Sequence, residues 1–354
     1  MMNKRSIRSG GSFMAEQLDL NHGYYYQFLN PSQKNCYDEL LLHMRQFETQ
    51  FSLNPVSSSD YLVANRAVLD DHPELWWADT PARYQFNLAG KVTSHTFLQL
   101  KGNEKQLTET IARIAQQVLD KASQLRDDWQ KALFFHDYIV LKTSFNSGRD
   151  TDGYSDQNLS SVFLAGSSVC AGYSRAFQLL CRSAGIECVY VTGKAVKNRT
   201  SIQHAWNLAR INGSWTWIDC TWDDLQLGKG MESAEHDYFC LNDTWISKEH
   251  PIPKTLETGN AKARLAIQFP PVTPLQMEYY HVNGIYFETY NANAVYASVQ
   301  AQEKTGRIRL RFGSTAELKK AVQDIVYRNN LTANAGLRIT LDEVMCVLRI
   351  DKIA

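Results

Sequence analysis

An α+β fold is expected for this chain, on three observations. Apolar residues recur with helical spacing in four stretches between Pro31 and Thr143. An amphipathic stretch, Cys170 to Ala184, leads into two strand-like runs joined by Asn212-Gly213. Beyond residue 270, strand-like and helix-like segments alternate. At 354 residues the chain exceeds one ordinary core. Three regions are therefore delimited: 1–100, mostly helical with a hairpin; 101–255, which carries the chemistry; and 270–354, a small α/β domain.

The elements follow in order. Pro31 to Gln50 reads as a helix with its stripe at Tyr37, Leu40, Leu41, Met44 and Phe47. A second helix spans Ser59 to Asp71, opened by a Ser/Asp cluster and stopped near Pro73. Arg83 to Leu100 suits a hairpin turning around Ala89-Gly90. Two amphipathic helices are expected over Glu104–Leu125 and Asp127–Thr143. The prolines at Pro251, Pro253, Pro270, Pro271 and Pro274 mark a linker. After it come a strand (Glu278–Tyr290), a helix (Ala292–Lys304), a strand (Arg307–Phe312), a helix (Thr315–Asn329) and a strand (Arg338–Ile350).

Composition narrows the function classes. Charges balance at 37 basic and 37 acidic, with no basic block, which argues against a nucleic-acid or polybasic membrane surface. No apolar run is long enough to span a membrane. Lys4, Arg5 and Arg8 are not followed by an apolar signal-peptide core, so a cytoplasmic protein is expected, with a secreted or surface-associated mature form left open. Gly10-Gly11-Ser12 reads as a flexible tail. The seven cysteines are odd in number and lack CxxC pairs, which fits neither a disulfide framework nor a zinc ribbon. Cys181, Cys188, Cys220 and Cys240 lack tight ligand spacing, so no metal and no cofactor are expected. Calcium dependence and oligomeric state are not legible, although no EF-hand loop is present.

One cysteine differs from the rest by its position. Cys170 opens a helix with apolar or small residues at Tyr173, Phe177, Leu180, Cys181 and Ala184. Ser167 and Ser168 are its N-cap candidates and Gly185 its C′ residue. A first-turn sulfur sits at the positive end of the helix, which favours a thiolate. The Cys170 N–H can also serve an oxyanion, and Ala171 and Gly172 leave room for a substrate backbone. Alone, a cysteine is more often a buried core thiol. Its case rests on partners. Ser201 to Ile211 and Ser214 to Thr221 alternate as strands, and Asn212-Gly213 is a strong type I′ signal. That turn sets Trp206 opposite Asp219 and His204 opposite Thr221. His204 and Asp219 then share a face, one diagonal of about 7–8 Å apart. An aspartate so placed accepts one imidazole N–H and leaves the other ring nitrogen for the thiol.

The runs Ser168-Val-Cys-Ala-Gly-Tyr-Ser-Arg-Ala-Phe177, His204-Ala-Trp-Asn207 and Asp219-Cys-Thr-Trp-Asp-Asp224 resemble the transglutaminase-like superfamily, most of all its bacterial peptidase-type members. Ser174 departs from the usual alanine. The Ala132–Tyr138 helix and Asp237-Tyr-Phe239 also fit, so the resemblance covers about residues 127–245. It implies a papain-like core with a nucleophile helix packed on an antiparallel sheet. It implies Cys170 as nucleophile, His204 as general base and acid, and Asp219 as the orienting group. Tyr173, Trp206, Trp222, Asp223 and Asp224 would line or support the cleft, with Gln157 or Asn158 as a second oxyanion donor. The implied reaction is acyl transfer from a protein or peptide amide through a thioester. Water as acceptor makes a peptidase, the favoured reading; water on a glutamine side chain makes a deamidase, and an amine makes a transglutaminase. The competing class is a non-catalytic binding or scaffold protein that keeps the fold. A glycanase is disfavoured by the missing CxxC pairs.

Overall fold

The computed structural model describes residues 22–146, 156–197, 199–224, 234–328 and 336–352. The Gly10–Ser12 stretch lies outside them. The chain forms two compact units, Met1–Glu235 with His250–Val272, and His236–Glu249 with Thr273–Ala354.

In the first unit the helices start near their expected places, but the first ends at Arg45 and not Gln50, with Phe47 at φ +57° beyond it. Helix α1 (Pro31–Arg45) opens with a capping box, in which Asn30 and Gln33 satisfy each other's backbone N–H groups. Strand β1 (Gln50–Val56) was not legible as a strand, because Asn54-Pro55 interrupts its alternation. Helix α2 (Ser58–Asp71) is capped by Ser57. Strands β2 (Ala82–Phe86) and β3 (Val92–Phe97) form the expected hairpin, with Gly90 at φ +70° in its turn. β1 joins them to complete a three-stranded sheet. Helices α3 (Glu104–Ala122) and α4 (Asp128–Lys142) follow, the latter capped by Asp127.

The centre of this unit is helix α5 (Cys170–Ser183) packed against an antiparallel sheet. Strand β4 (Glu187–Lys197) lies at the sheet's outer edge. It pairs with β5 (Thr200–Ile211), which pairs with β6 (Ser214–Ile218). Tyr173, Ala176, Phe177, Leu180 and Cys181 form the buried stripe of α5, and Gly185 ends the helix at φ +82°. This is the α+β core the sequence calls for.

Helix α5 also holds the N-terminal helices. Its buried Arg175 donates to the carbonyl of Leu69 at 2.5 Å and pairs with Asp70 at 3.1 Å. Gln178 donates to Asp70 O at 2.8 Å, and Arg182 to Asp71 O. These donors satisfy carbonyls at the C-terminus of α2 that no helical N–H can reach.

Part of the proline-rich passage is structured, not linker. Strands β7 (Thr255–Glu257) and β8 (Arg264–Ala266) pair there as a small hairpin of the first unit.

In the second unit, helices α7 (Ala292–Glu303) and α8 (Thr315–Ala321) flank strand β9 (Arg307–Phe312) as expected. Two expectations fail. Glu278–Tyr290 is not one strand: Glu278 caps a single helical turn over Tyr279–Val282, which Gly284 ends at φ +67°. Only Tyr286 and Phe287 are extended, parallel to β9. Arg338–Ile350 is likewise two strands, β10 (Leu337–Asp342) and β11 (Val347–Lys352). Its turn is made by Asp342, whose carboxylate accepts the N–H groups of Val344 and Met345 at 3.0 and 2.8 Å. The apolar Val344-Met345-Cys346 disguises that turn as strand.

Candidate active site

Asn212 and Gly213 take φ +48° and +82°, the left-handed pair a type I′ turn needs. The register that follows is the expected one, with Ile211 opposite Ser214 and Asn207 opposite Ile218. The ladder stops there. At Asp219 the chain leaves the sheet and enters a short helix, α6 (Cys220–Asp223), so Thr221 does not face His204 in a ladder. The reason is local. Asp219 caps that helix, its Oδ1 accepting the N–H groups of Thr221 at 2.9 Å and Trp222 at 3.2 Å.

The other carboxylate oxygen turns to the sheet. His204 donates from Nε2 to Asp219 Oδ2 at 2.6 Å, with both side chains buried. The Cys170 sulfur stands near enough to the same imidazole to raise its proton affinity further. Cys170 is half-buried over Tyr190 and Ala205, whereas the other six cysteines are buried. Helix start, β5 and the end of β6 therefore converge on one imidazole. Burial alone would lower the proton affinity of His204. The facing Asp219 more than reverses this and raises it to about 10. Asp219, although buried, is held well below the usual carboxylate range by the two histidines it faces.

The second of these histidines escaped the sequence reading. His250 donates from Nε2 to the same Asp219 Oδ2 at 2.9 Å. Burial lowers its proton affinity, against the pull of the carboxylate. It stands just before Pro251, in the passage read as linker, and no spacing ties it to the hairpin. With Trp206 and Trp222 it boxes the His204 ring: centroids lie 5.1 Å apart for His204–Trp222 and for Trp206–His250, and 4.2 Å for Trp222–His250. Trp206 is fully buried and packs against Gly193, so it is core. Trp222 is half-exposed, with Lys197 Nζ 4.4 Å from its ring centre.

Tyr173, Asp223 and Asp224 lie around α6. The Tyr173 hydroxyl donates to Asp224 Oδ2 at 2.5 Å, joining α5 to α6. Asp223 accepts from His136 Nε2 at 3.1 Å, and Asp137 meets the other ring nitrogen at 2.9 Å. Burial disfavours a charged His136, but the two carboxylates raise its proton affinity to about 9.

The N-cap of α5 is Val169, not Ser167 or Ser168. Ser168 turns inward, its hydroxyl donating to Asp156 O at 3.0 Å and lying 2.6 Å from Ser161 Oγ. Among the described residues no acceptor meets the Cys170 N–H. The Asn158 side chain is buried and accepts the Ser160 N–H at 3.0 Å. Gln157 is exposed, and its amide donates to Asp156 Oδ1 at 3.1 Å.

Three histidine and carboxylate ligand atoms, from His204, Asp219 and His250, lie within 4.8 Å of one another. Both rings aim Nε2 at one carboxylate oxygen at hydrogen-bond length, which accounts for the cluster through protons alone. No helix among the described residues is long and apolar enough to cross a membrane.

Part of the chain is similar to known proteins. Residues 100–220 match the model of the transglutaminase-like superfamily. The mouse (Mus musculus) Kyphoscoliosis peptidase is 35% identical over 63 residues, which cover 15% of this chain and 9% of that protein. The human (Homo sapiens) one is 33% identical over 63 residues, with the same shares. The match thus spans under a tenth of those relatives' length. A solved structure described as a TGase is 16% identical and covers 44% of this chain and 47% of its own, with a TM-score of 0.29, too loose to carry weight beside the local geometry. The range matched, residues 100–220, takes in Cys170, His204 and Asp219, and over it the chain is similar to the transglutaminase-like superfamily.

Proposed function

We propose that the protein transfers acyl groups from protein or peptide amides through a thioester on Cys170, with water as acceptor. The observation that carries this reading is His204: its ring is fixed by Asp219 at 2.6 Å, and the helix-start thiol of Cys170 lies within its electrostatic reach. The Kyphoscoliosis peptidases matched by part of the chain carry a peptidase name, which favours hydrolysis.

The imidazolium is retained through neutral pH by Asp219, which is the form that can protonate a leaving amine. The thiolate attacks the amide carbon, forming the C–S bond, and the carbonyl electrons move to oxygen. The Cys170 N–H meets that oxyanion, with Gln157 as candidate second donor. The C–N bond then breaks, and His204 gives its proton to the departing amine. The neutral ring takes a proton from water as water attacks the thioester. The C–S bond then breaks, which restores the thiolate beside the protonated ring, and the acid product leaves, giving its proton to the released amine or to water. Trp222 walls the site, while Trp206, Tyr173, Asp223 and Asp224 hold its frame.

Iodoacetamide labelling tests the pairing. Cys170 is expected to label first, but its exposure alone would give that order. The decisive comparison is His204→Ala, which is expected to slow Cys170 labelling about tenfold or more at pH 7. An unchanged rate would leave the thiol without an activating partner and favour a binding protein that keeps the fold.

A further inference from the structure

A cavity of about 760 Å³ opens along strand β4, lined by Thr192, Gly193, Lys194 and Gln203 of the sheet and by Pro251–Thr255 and Arg264. Its distance from the sulfur follows from the register. Cys170 packs on Tyr190 and Ala205. Thr192 is the cross-strand partner of Ala205 and the next residue after Tyr190 on the same face. The cavity therefore begins roughly 5–7 Å from the residues under the thiol. On the other face Gly193, opposite His204, leaves room only for the Trp206 ring: a Cβ there would stand 2.8 Å from it.

Two properties of this cavity point to its occupant. The first is an unused strand edge. β4 is the outer strand, and Tyr190 turns its carbonyl away from β5 to accept the Tyr25 hydroxyl at 2.6 Å. With a period of two and no break in register, Thr192 and Lys194 direct their N–H and C=O groups the same way. Among the described residues nothing hydrogen-bonds to those groups. The second is charge. Arg264 and Glu257 neutralise each other at 3.1 Å, which leaves Lys194 and Lys254 as the net charge of the lining, both exposed.

We propose that the cleft takes an extended acidic peptide segment, added as a strand along β4 at Thr192–Lys194, with its carboxylates at Lys194 and Lys254. Backbone pairing supplies register and the lysines supply selectivity. Such a segment would lie beside the amide presented to Cys170. The substrate class thus rests on the acyl-transfer reading, but occupancy of the cleft does not.

The test uses the full chain carrying Cys170→Ala, so that binding is read without turnover. Three fluorescein-labelled extended peptides are compared by anisotropy: one with alternating glutamates, one with lysines in their place, and the glutamate peptide with alternate backbone amides N-methylated. The glutamate peptide is expected to bind about tenfold tighter than either counterpart. Combining Lys194→Glu with Lys254→Glu should reverse the charge preference. Equal binding of glutamate and lysine peptides, a preference unchanged in the lysine variant, or indifference to N-methylation would overturn the proposal. Acylation of the wild-type thiol is scored separately. Loss of the charge preference with acylation intact sinks the cleft alone, and specific binding without thiol chemistry sinks the reaction alone.

Discussion

At the scale of single residues, Asp219 organises the site. Its Oδ1 caps α6 through two backbone N–H groups, and its Oδ2 receives His204 and His250. A buried carboxylate with four donors is fully satisfied. Removing one donor should be felt in stability before chemistry. His250→Leu is expected to cost about 1–3 kcal/mol, read as a lower midpoint in urea at unchanged slope. An unchanged midpoint would show that the His250–Asp219 contact contributes nothing. The sequence disclosed half of this arrangement. Asn212-Gly213 fixes a two-residue turn, and the turn alone brings His204 near Asp219. His250 lies 31 residues beyond Asp219 in a proline-rich run, where neither period nor turn chemistry signals a side-chain partner.

At the scale of elements, the start of α5 depends on close backbone approach. Gly172 stands over Asn158 and Ser168, and a Cβ there would come within 2.8 Å of Asn158 O and closer still to the Ser168 hydroxyl. Gly172→Ala should therefore displace the first turn that carries Cys170. A loss of about 1–3 kcal/mol is expected, together with slower iodoacetamide labelling of Cys170. Wild-type stability and labelling would contradict this packing. Helices with clear stripes and side-chain caps, such as α2 and α4, were legible almost to the residue. The N-cap of α5 was not, because Ser167 and Ser168 look like caps while Ser168 serves the Ser161–Asp156 network beneath the helix. The β10–β11 hairpin was hidden for the opposite reason: its turn is carried by one Asp342 side chain among apolar neighbours.

At the scale of the whole molecule, buried ion pairs set the response to pH. His204 and His136 bind protons with affinities of about 10 and about 9 in the folded chain, against an ordinary 6.5. Burial acts against both, and Asp219 in the first case and Asp137 and Asp223 in the second prevail. Their stabilisation is complete below about pH 6.5 and is lost as pH rises toward 9 to 10. Asp71 works in the same direction at lower pH. Burial raises it to about 7 from 3.8, despite the Tyr25 N–H and a nearby Arg182, so deprotonation costs stability between those values. Asp219 and Glu74 oppose this only in acid. Both are depressed by their histidine partners, Glu74 to about 2 although burial pushes the other way, and their contribution disappears as pH falls below the ordinary carboxylate range. Thermal stability is therefore expected to peak in mildly acidic solution and to decline steadily from about pH 6 to pH 10. A midpoint that rises over that interval would contradict these pairs.

The central claim is that Cys170 receives an acyl group with the help of His204. Intact mass spectrometry after brief reaction with p-nitrophenyl acetate and acid quench tests it without knowledge of the natural substrate. The sulfur takes the acetyl group and p-nitrophenolate leaves, so the chain should gain one acetyl group, mapped to Cys170. The adduct should be released by hydroxylamine, absent in Cys170→Ala and formed far more slowly in His204→Ala. Acetylation spread over lysines, or unaltered by either substitution, would contradict the account.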